Sequence, residues 1–296
     1  MTVPGAVATL LEGLVDYAGL FPPAALDMDA AVTHYARYRH ATDRAMLGRF
    51  VVPAARLAEF VAAVDRLPHG APTPREPWAC AVLAAPADAP ALREVAVRVG
   101  ECLRLDVVEA KAGDAAGIAA LAEAFGPAVT VYVELAASSD PAPLVEVIAR
   151  HGLRAKLRTG GVTPDAFPTP AEVLRFLEAC VTAGVACKAT AGLHHPLRGE
   201  YPLTYAPDSP RATMHGFLNV FLTAAFLQAG VAAADVAPLL EERDPTAIHA
   251  DADGIRWREW RLTRDALVTC RRTAAVSFGS CSFEEPVHEV ATLPFG

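Results

Sequence analysis

Eight short apolar runs, spaced by longer helix-like stretches, constrain this chain more than any other feature. The runs fall at 14–16, 45–52, 78–83, 103–109, 129–135, 154–157, 186–189 and 274–278. Helix-like segments occupy 29–38, 54–67, 89–99, 115–125, 141–151, 169–183 and 214–230. Start signals support several of them, such as Thr169-Pro170-Ala171-Glu172, with proline in the first turn and an acid beside it. Continuous Val/Ile/Leu-rich strands alternating with helices imply a parallel sheet covered on both faces. Eight of them fit a closed (β/α)8 TIM barrel better than an open sheet. A nucleotide-binding α/β fold would also need a phosphate loop, and the chain has neither GxGxxG after its first strand nor GxxxxGK[ST].

A length of 296 residues suits one barrel domain spanning 1–296. Two segments break the alternation. Residues 198–211, rich in proline and tyrosine, read as a long loop after the seventh strand. Residues 231–272, with Trp257, Trp260 and several arginines, read as an insertion with helical content before the eighth. Long loops on a compact domain are often lids or partner surfaces. Apolar helices such as 217–227 offer a face for a homo-oligomer.

Hydrophobic residues make up 53% of the chain and the net charge is −8, so a large core is available and no basic run stands out. That balance argues against nucleic acid or an anionic membrane as partner. The six cysteines contain no CxxC pair, which reads as reduced thiols filling a core. No basic leader followed by an apolar stretch is evident, and no apolar run reaches the ~18 residues of a membrane span. The expectation is a soluble cytoplasmic protein.

The chemistry concentrates at the strand ends, where barrel active sites sit. Lys156 and Lys188 each follow a buried-strand run and lead into a glycine-bearing turn, one strand-loop-helix unit apart. Lysine is seldom buried because desolvating an ammonium is costly. Adjacent cations also disfavour one another's charge, which is how a lysine becomes a neutral amine nucleophile near pH 7. The other strand ends supply Asp16, Asp106, Glu109, Glu134, Arg158 and the run Ser280-Cys281-Ser282, with His194 and His195 just beyond strand seven. Apart from the second and third, every strand brings an ionisable or hydroxyl group to one mouth.

Five motifs, in order, resemble the deoxyribose-phosphate aldolase family, class I aldolases that form a lysine Schiff base. Val15-Asp16-Tyr17-Ala18-Gly19-Leu20 resembles its opening Asp-bearing strand. Leu105-Asp106-Val107-Val108 is similar to the strand whose aspartate helps shuttle protons. Lys156-Leu157-Arg158-Thr159-Gly160-Gly161 resembles the motif carrying the Schiff-base lysine. Lys188-Ala189-Thr190-Ala191-Gly192 resembles the next motif, whose lysine lowers the pKa of the first. Phe278-Gly279-Ser280-Cys281-Ser282 is similar to the turn that binds substrate phosphate. The resemblance implies a cofactor-independent lyase acting on a small carbonyl substrate. Lys156, Lys188, Asp106 and Glu134 would then be catalytic. Asp16, Glu109, Arg158, Thr159, Gly160, Gly161, His194, His195, Ser280 and Ser282 would contact substrate. The chain departs from the family where His194-His195-Pro196 stands in place of an arginine. Glu284 and Glu285 follow the serine turn, where two acids would repel a phosphate dianion. A carboxylate or neutral polar substrate fits better.

Two other classes stay open. One is a metal-dependent lyase or hydrolase drawing ligands from His194 or His195, Glu109, Glu134 and Cys281, although no HxH or HExxH spacing occurs. The other is a non-catalytic barrel whose insertion around Trp257 and Trp260 binds a protein partner. In the bland reading, the lysines are structural salt-bridge partners of carboxylates such as Glu134.

Overall fold

The chain closes into an eight-stranded parallel barrel in a computed structural model that describes residues 3–73 and 75–295. In chain order the staves are β1 (Val15–Tyr17), β2 (Leu47–Pro53), β3 (Trp78–Leu83), β4 (Leu103–Lys111), β5 (Thr130–Leu135), β6 (Arg154–Arg158) and β7 (Cys187–Thr190). The closing strand Ala275–Ser280 pairs in parallel with both β7 and β1. The (β/α)8 expectation therefore holds, and each expected strand overlaps an observed one. Between barrel and helices lies one large apolar cluster that includes Phe50, Trp78 and Phe278. A small separate cluster of Val51, Ala81, Val107 and Tyr132 fills the barrel axis. Alternation along each stave divides the two, since successive side chains point to opposite faces. No helix is long and apolar enough to cross a membrane among the described residues.

The helices follow local signals. Pro170–Thr182 starts with Thr169 accepting from the Glu172 N–H while Glu172 bonds back to the Thr169 N–H, a reciprocal cap. Asp27 and Asp114 cap the helices Met28–Tyr38 and Ala115–Phe125 in the same side-chain-to-backbone manner.

Three expectations need correction. Residues 198–211 are not a plain loop, because Gly199–Pro202 and Arg211–Met214 pair as an antiparallel hairpin over the barrel mouth. Segment 231–272 has the expected helical content in Ala233–Val236, Ala237–Glu241 and Arg264–Thr273, and it adds a small antiparallel sheet of Ile248–Ala250, Gly254–Trp257 and Trp260–Thr263. This sheet docks on the N-terminal helix Gly5–Leu11, where the Ala6 N–H donates to the Asp251 carbonyl at 3.1 Å. Trp257 is fully buried, its Nε1–H donating to Glu242 at 3.2 Å, so it cannot be a partner-binding surface. The apolar helix Phe217–Gln228 is likewise buried from Phe217 through Phe226, which removes it as an oligomer face. Both corrections share one cause: the insertion covers the helix with its own apolar residues, among them Leu239, Leu240, Ile255 and Trp257.

The insertion is thus part of the core, not an appendage. Trp257→Ala is expected to lower the unfolding free energy by about 3–5 kcal/mol, as for other large aromatics truncated in cores. Urea unfolding followed by circular dichroism measures it; a loss within ~0.5 kcal/mol of zero would mean the sheet is dispensable.

Candidate functional site

Five charged side chains meet inside the barrel. Lys188 Nζ lies 2.6 Å from Asp16 Oδ2 and 2.5 Å from Glu109 Oε1. Lys156 Nζ lies 2.7 Å from Glu109 Oε2 and 2.8 Å from Glu134 Oε2. Glu109 on β4 reaches Lys188 on β7 past two intervening staves, a contact that only the lumen permits. Both ammonium nitrogens sit on one carboxylate, which keeps them within the roughly 8 Å over which two charges interact usefully. Strand register produces the rest: Glu134, Lys156 and Lys188 are direct cross-strand partners on β5, β6 and β7. Neighbouring strands are about 4.8 Å apart, so opposed side chains on one face must touch.

Asp16 is held from two further sides. Its Oδ2 accepts from Ser277 Oγ at 2.7 Å and its Oδ1 from the Arg49 N–H at 2.7 Å. Gly48 makes room for it, since a Cβ there would stand 2.3 Å from Asp16 Oδ1. Ser277 was not among the expected site residues. A serine inside an apolar strand run carries no charge to mark it, and only its alternation with Phe278 hints that it faces inward.

These contacts overturn the expectation that the two lysines mutually discharge. Glu109 stands between them. Burial opposes charge on Lys188, but Asp16 and Glu109 outweigh it and hold the ammonium above the usual lysine range. Burial alone would raise the Glu109 carboxyl, yet Lys188 and Lys156 bring it down to about 2. Glu134 is lowered too, burial being outweighed by Lys156 and then by Arg158 and Lys111.

Above this layer opens a cavity of about 220 Å³. Lys156, Glu109 and Arg158 line one side, with His194 and Cys281 beside them, and Phe21, Val51 and Leu83 form an apolar wall. The lysines are therefore unequal. Lys156 reaches the cavity, while Lys188 lies beneath it with 1% of its side chain exposed. Glu134 opens on an adjoining groove with Lys111, Arg158 and Phe167. Arg158 is half exposed and approaches Glu134 Oε1 at 3.5 Å, so its guanidinium remains available at the rim.

Several expected contacts lie elsewhere. Asp106 is not in this cavity: it sits nearer the start of β4, beyond a shift in the β3–β4 register, and its carboxylate pairs with Arg49 Nη1 at 2.5 Å. The strand-four carboxylate that reaches the barrel interior is Glu109, not Asp106. Thr159 is fully buried and spends its hydroxyl on the Thr190 and Ala191 carbonyls at 3.2 and 2.7 Å, joining two loops without facing the cavity. Gly160 serves the same junction, since a Cβ there would approach Gly192 Cα to 2.9 Å and Phe167 to 2.5 Å. Gly161 alone of the three lines the cavity. Ser280 is buried with its Oγ 3.5 Å from His194 Nδ1, and Ser282 Oγ accepts from the Glu285 N–H at the start of the helix Glu284–Ala291. His195 turns away from the cavity, stacks on Tyr201 at 3.4 Å between centroids and pairs with Glu289 at 2.8 Å. Glu284 points outward to Arg37, leaving Glu285 as the acid at the mouth. Among the described residues no three His, Cys, Asp or Glu side chains form a metal-donor set.

Comparison with known proteins adds little beyond this geometry. No protein-family model matches the chain, and no curated protein sequence does. Among solved structures, the chain is similar to N-acetyl-D-glucosamine-6-phosphate deacetylase from Mycobacterium smegmatis, at 14% identity and a TM-score of 0.31. That match covers 78% of this chain and 75% of the other.

The network fixes an acid-side dependence of stability. Glu109 ionises at about 2 in the folded protein and near 4.3 unfolded, so the native state binds fewer protons between those values. Its contribution, on the order of 3 kcal/mol, is complete above about pH 5 and lost as pH falls toward 2. Glu109→Gln is expected to cost about 3–5 kcal/mol at pH 7, because it takes one of two counter-charges from each of two buried ammonium groups. It should also flatten the decline of stability between pH 5 and 2. Denaturant midpoints across that range, for both proteins, check the two effects together; parallel curves would contradict the assignment.

Proposed function

We propose that this protein is a Schiff-base-forming lyase of the class I aldolase type, with Lys156 as nucleophile and a small carbonyl compound as substrate. One observation carries the reading: of two buried lysines bound to a single carboxylate, Lys156 alone meets the cavity. An amine must lose its proton before it attacks a carbonyl, and Lys156 touches two carboxylates that can receive it. Glu109 already serves two cations and is held at about 2, which makes it a weak acceptor. Glu134 serves one buried ammonium and opens on a solvent-lined groove, so it is the better proton carrier to and from water. Lys188 stays cationic and fixes Glu109 in place.

The iminium at Lys156 would then act as the electron sink for making or breaking the adjacent C–C bond. Arg158 at the rim suits a carboxylate on the substrate, since a guanidinium binds carboxylates through paired hydrogen bonds. Glu285 at the same mouth disfavours a phosphate dianion. The ordered resemblance of five strand motifs to the deoxyribose-phosphate aldolase family supports the same reaction class. The metal-dependent alternative has no donor set to build on among the described residues.

Incubation with small aldehydes and 2-oxo acids, followed by sodium borohydride, tests the proposal. The expected result is one reduced adduct on the Lys156 peptide by mass spectrometry. An adduct on Lys188 would exchange the two roles, and none with any carbonyl compound would end the reading. Glu134→Gln is expected to slow turnover of whichever compound is trapped by roughly 10²–10⁴-fold. Asp106→Asn should stay within a few-fold of the parent, since its carboxylate serves Arg49.

A further inference from the structure

We propose that Cys281, His194 and Glu285 form a second nucleophilic site at the barrel mouth, a thiol that accepts an acyl group from an ester or thioester. Nothing in the amine chemistry of Lys156 uses these three residues. They come from separate places: His194 from the loop after β7, Cys281 from the turn after the closing strand, and Glu285 from the first turn of the final helix. His194 Nδ1 lies 2.9 Å from Glu285 Oε2, while its Nε2 lies 4.0 Å from Cys281 Sγ. A carboxylate on one ring nitrogen fixes the plane of an imidazole and aims the other nitrogen. Here that other nitrogen faces sulfur, the order of groups that activates a nucleophile by a base and an orienting acid.

The surroundings favour charge on the imidazole ring. Burial opposes charge on His194, but its bonds to Cys281 and Glu285 prevail and raise it to about 10, so the ring is an imidazolium at neutral pH. An imidazolium beside a thiol is the setting in which cysteines become reactive. The other groups facing the sulfur are Tyr205, whose hydroxyl stands 3.6 Å away and donates to Glu285, and Tyr17 from β1. Lys156 and Arg158 line the same cavity. Access separates this cysteine from four of the others. Cys80, Cys180, Cys187 and Cys270 belong to the apolar core, whereas Cys281 borders the 220 Å³ cavity.

The step balances without a redox partner. With its proton held on the His194 ring, sulfur attacks the acyl carbon as the thiolate, and an S–C bond forms as the bond to the leaving oxygen or sulfur breaks. His194 then returns the proton to the leaving group, and water releases the acid from the thioester.

p-Nitrophenyl acetate and iodoacetamide, applied to the full chain at neutral pH, serve as probes. Expected are a nitrophenol burst near one equivalent, an acetyl group on the Cys281 peptide, and alkylation of Cys281 ahead of the other five cysteines. His194→Gln should slow acetylation by roughly 10²–10⁴-fold. Glu285→Gln, at a side chain one third exposed, should slow it by a smaller factor and gives the same readout if the histidine variant does not fold. Equal rates in parent and variants would overturn the relay. Acetyl on Lys156, or alkylation of Cys281 no faster than in urea-unfolded protein, would overturn the site. Borohydride takes no part, so failure here leaves the amine reading untouched.

Discussion

The carboxylate of Glu109, gripped by one ammonium on each oxygen, is the contact on which the interior of this barrel depends. Bringing any of these ions out of water alone would cost several kcal/mol, and none would remain charged without the others. Their arrangement requires β1, β4, β5, β6, β7 and the closing strand to be in register at once, because Asp16, Glu109, Glu134, Lys156, Lys188 and Ser277 each come from a different stave. The network therefore reports on barrel closure as a whole. Such a set gives little net stability compared with a packed apolar interior, but losing one member leaves its partners buried and short of a counter-charge. Three carboxylates against two ammonium groups also leave the set one negative charge in excess. Arg158 and Lys111 partly offset that excess at Glu134.

Much of this was legible in the sequence. Strands buried on both faces appear as unbroken apolar runs, so all eight staves could be placed within a few residues. A charged residue that ends such a run stands out, which is why Asp16, Glu109, Glu134, Lys156 and Lys188 were found. Asp106 and Glu109 show where the reading failed. Both lie on β4, and the family-like motif drew attention to Asp106. A register shift between β3 and β4 re-aims side chains locally, and counting alternation through it loses phase. Ser277 escaped because nothing but position marks it.

Residues 198–272 were harder to read for a different reason. Their strands are three or four residues long, too short for period-two patterning to register, and prolines mark the ends of the hairpin at 199–214. Tryptophan and arginine side by side suggested an exposed face. In the fold, Trp257 is inside and Arg258 lies over its ring at 4.3 Å, a cation sealing an aromatic from solvent. Thr159 and Gly160 likewise looked like ligand contacts from their motif, yet they bind the loops after β6 and β7 together. A motif records that a residue is needed without saying whether a ligand or a neighbouring loop needs it.

The cavity wall is divided into halves of different character. β2 and β3 contribute only Val51 and Leu83, while β6, farther round the barrel, carries Lys156 and Arg158. On the proposed function, a planar carbonyl compound seated between them would lie with its hydrocarbon edge on the apolar arc and its oxygen toward the polar one. Only one of its two faces would then be turned to the amine. The bare second and third staves thereby become a source of handedness: bond formation at that carbon would proceed from a single side, and its product would be a single enantiomer.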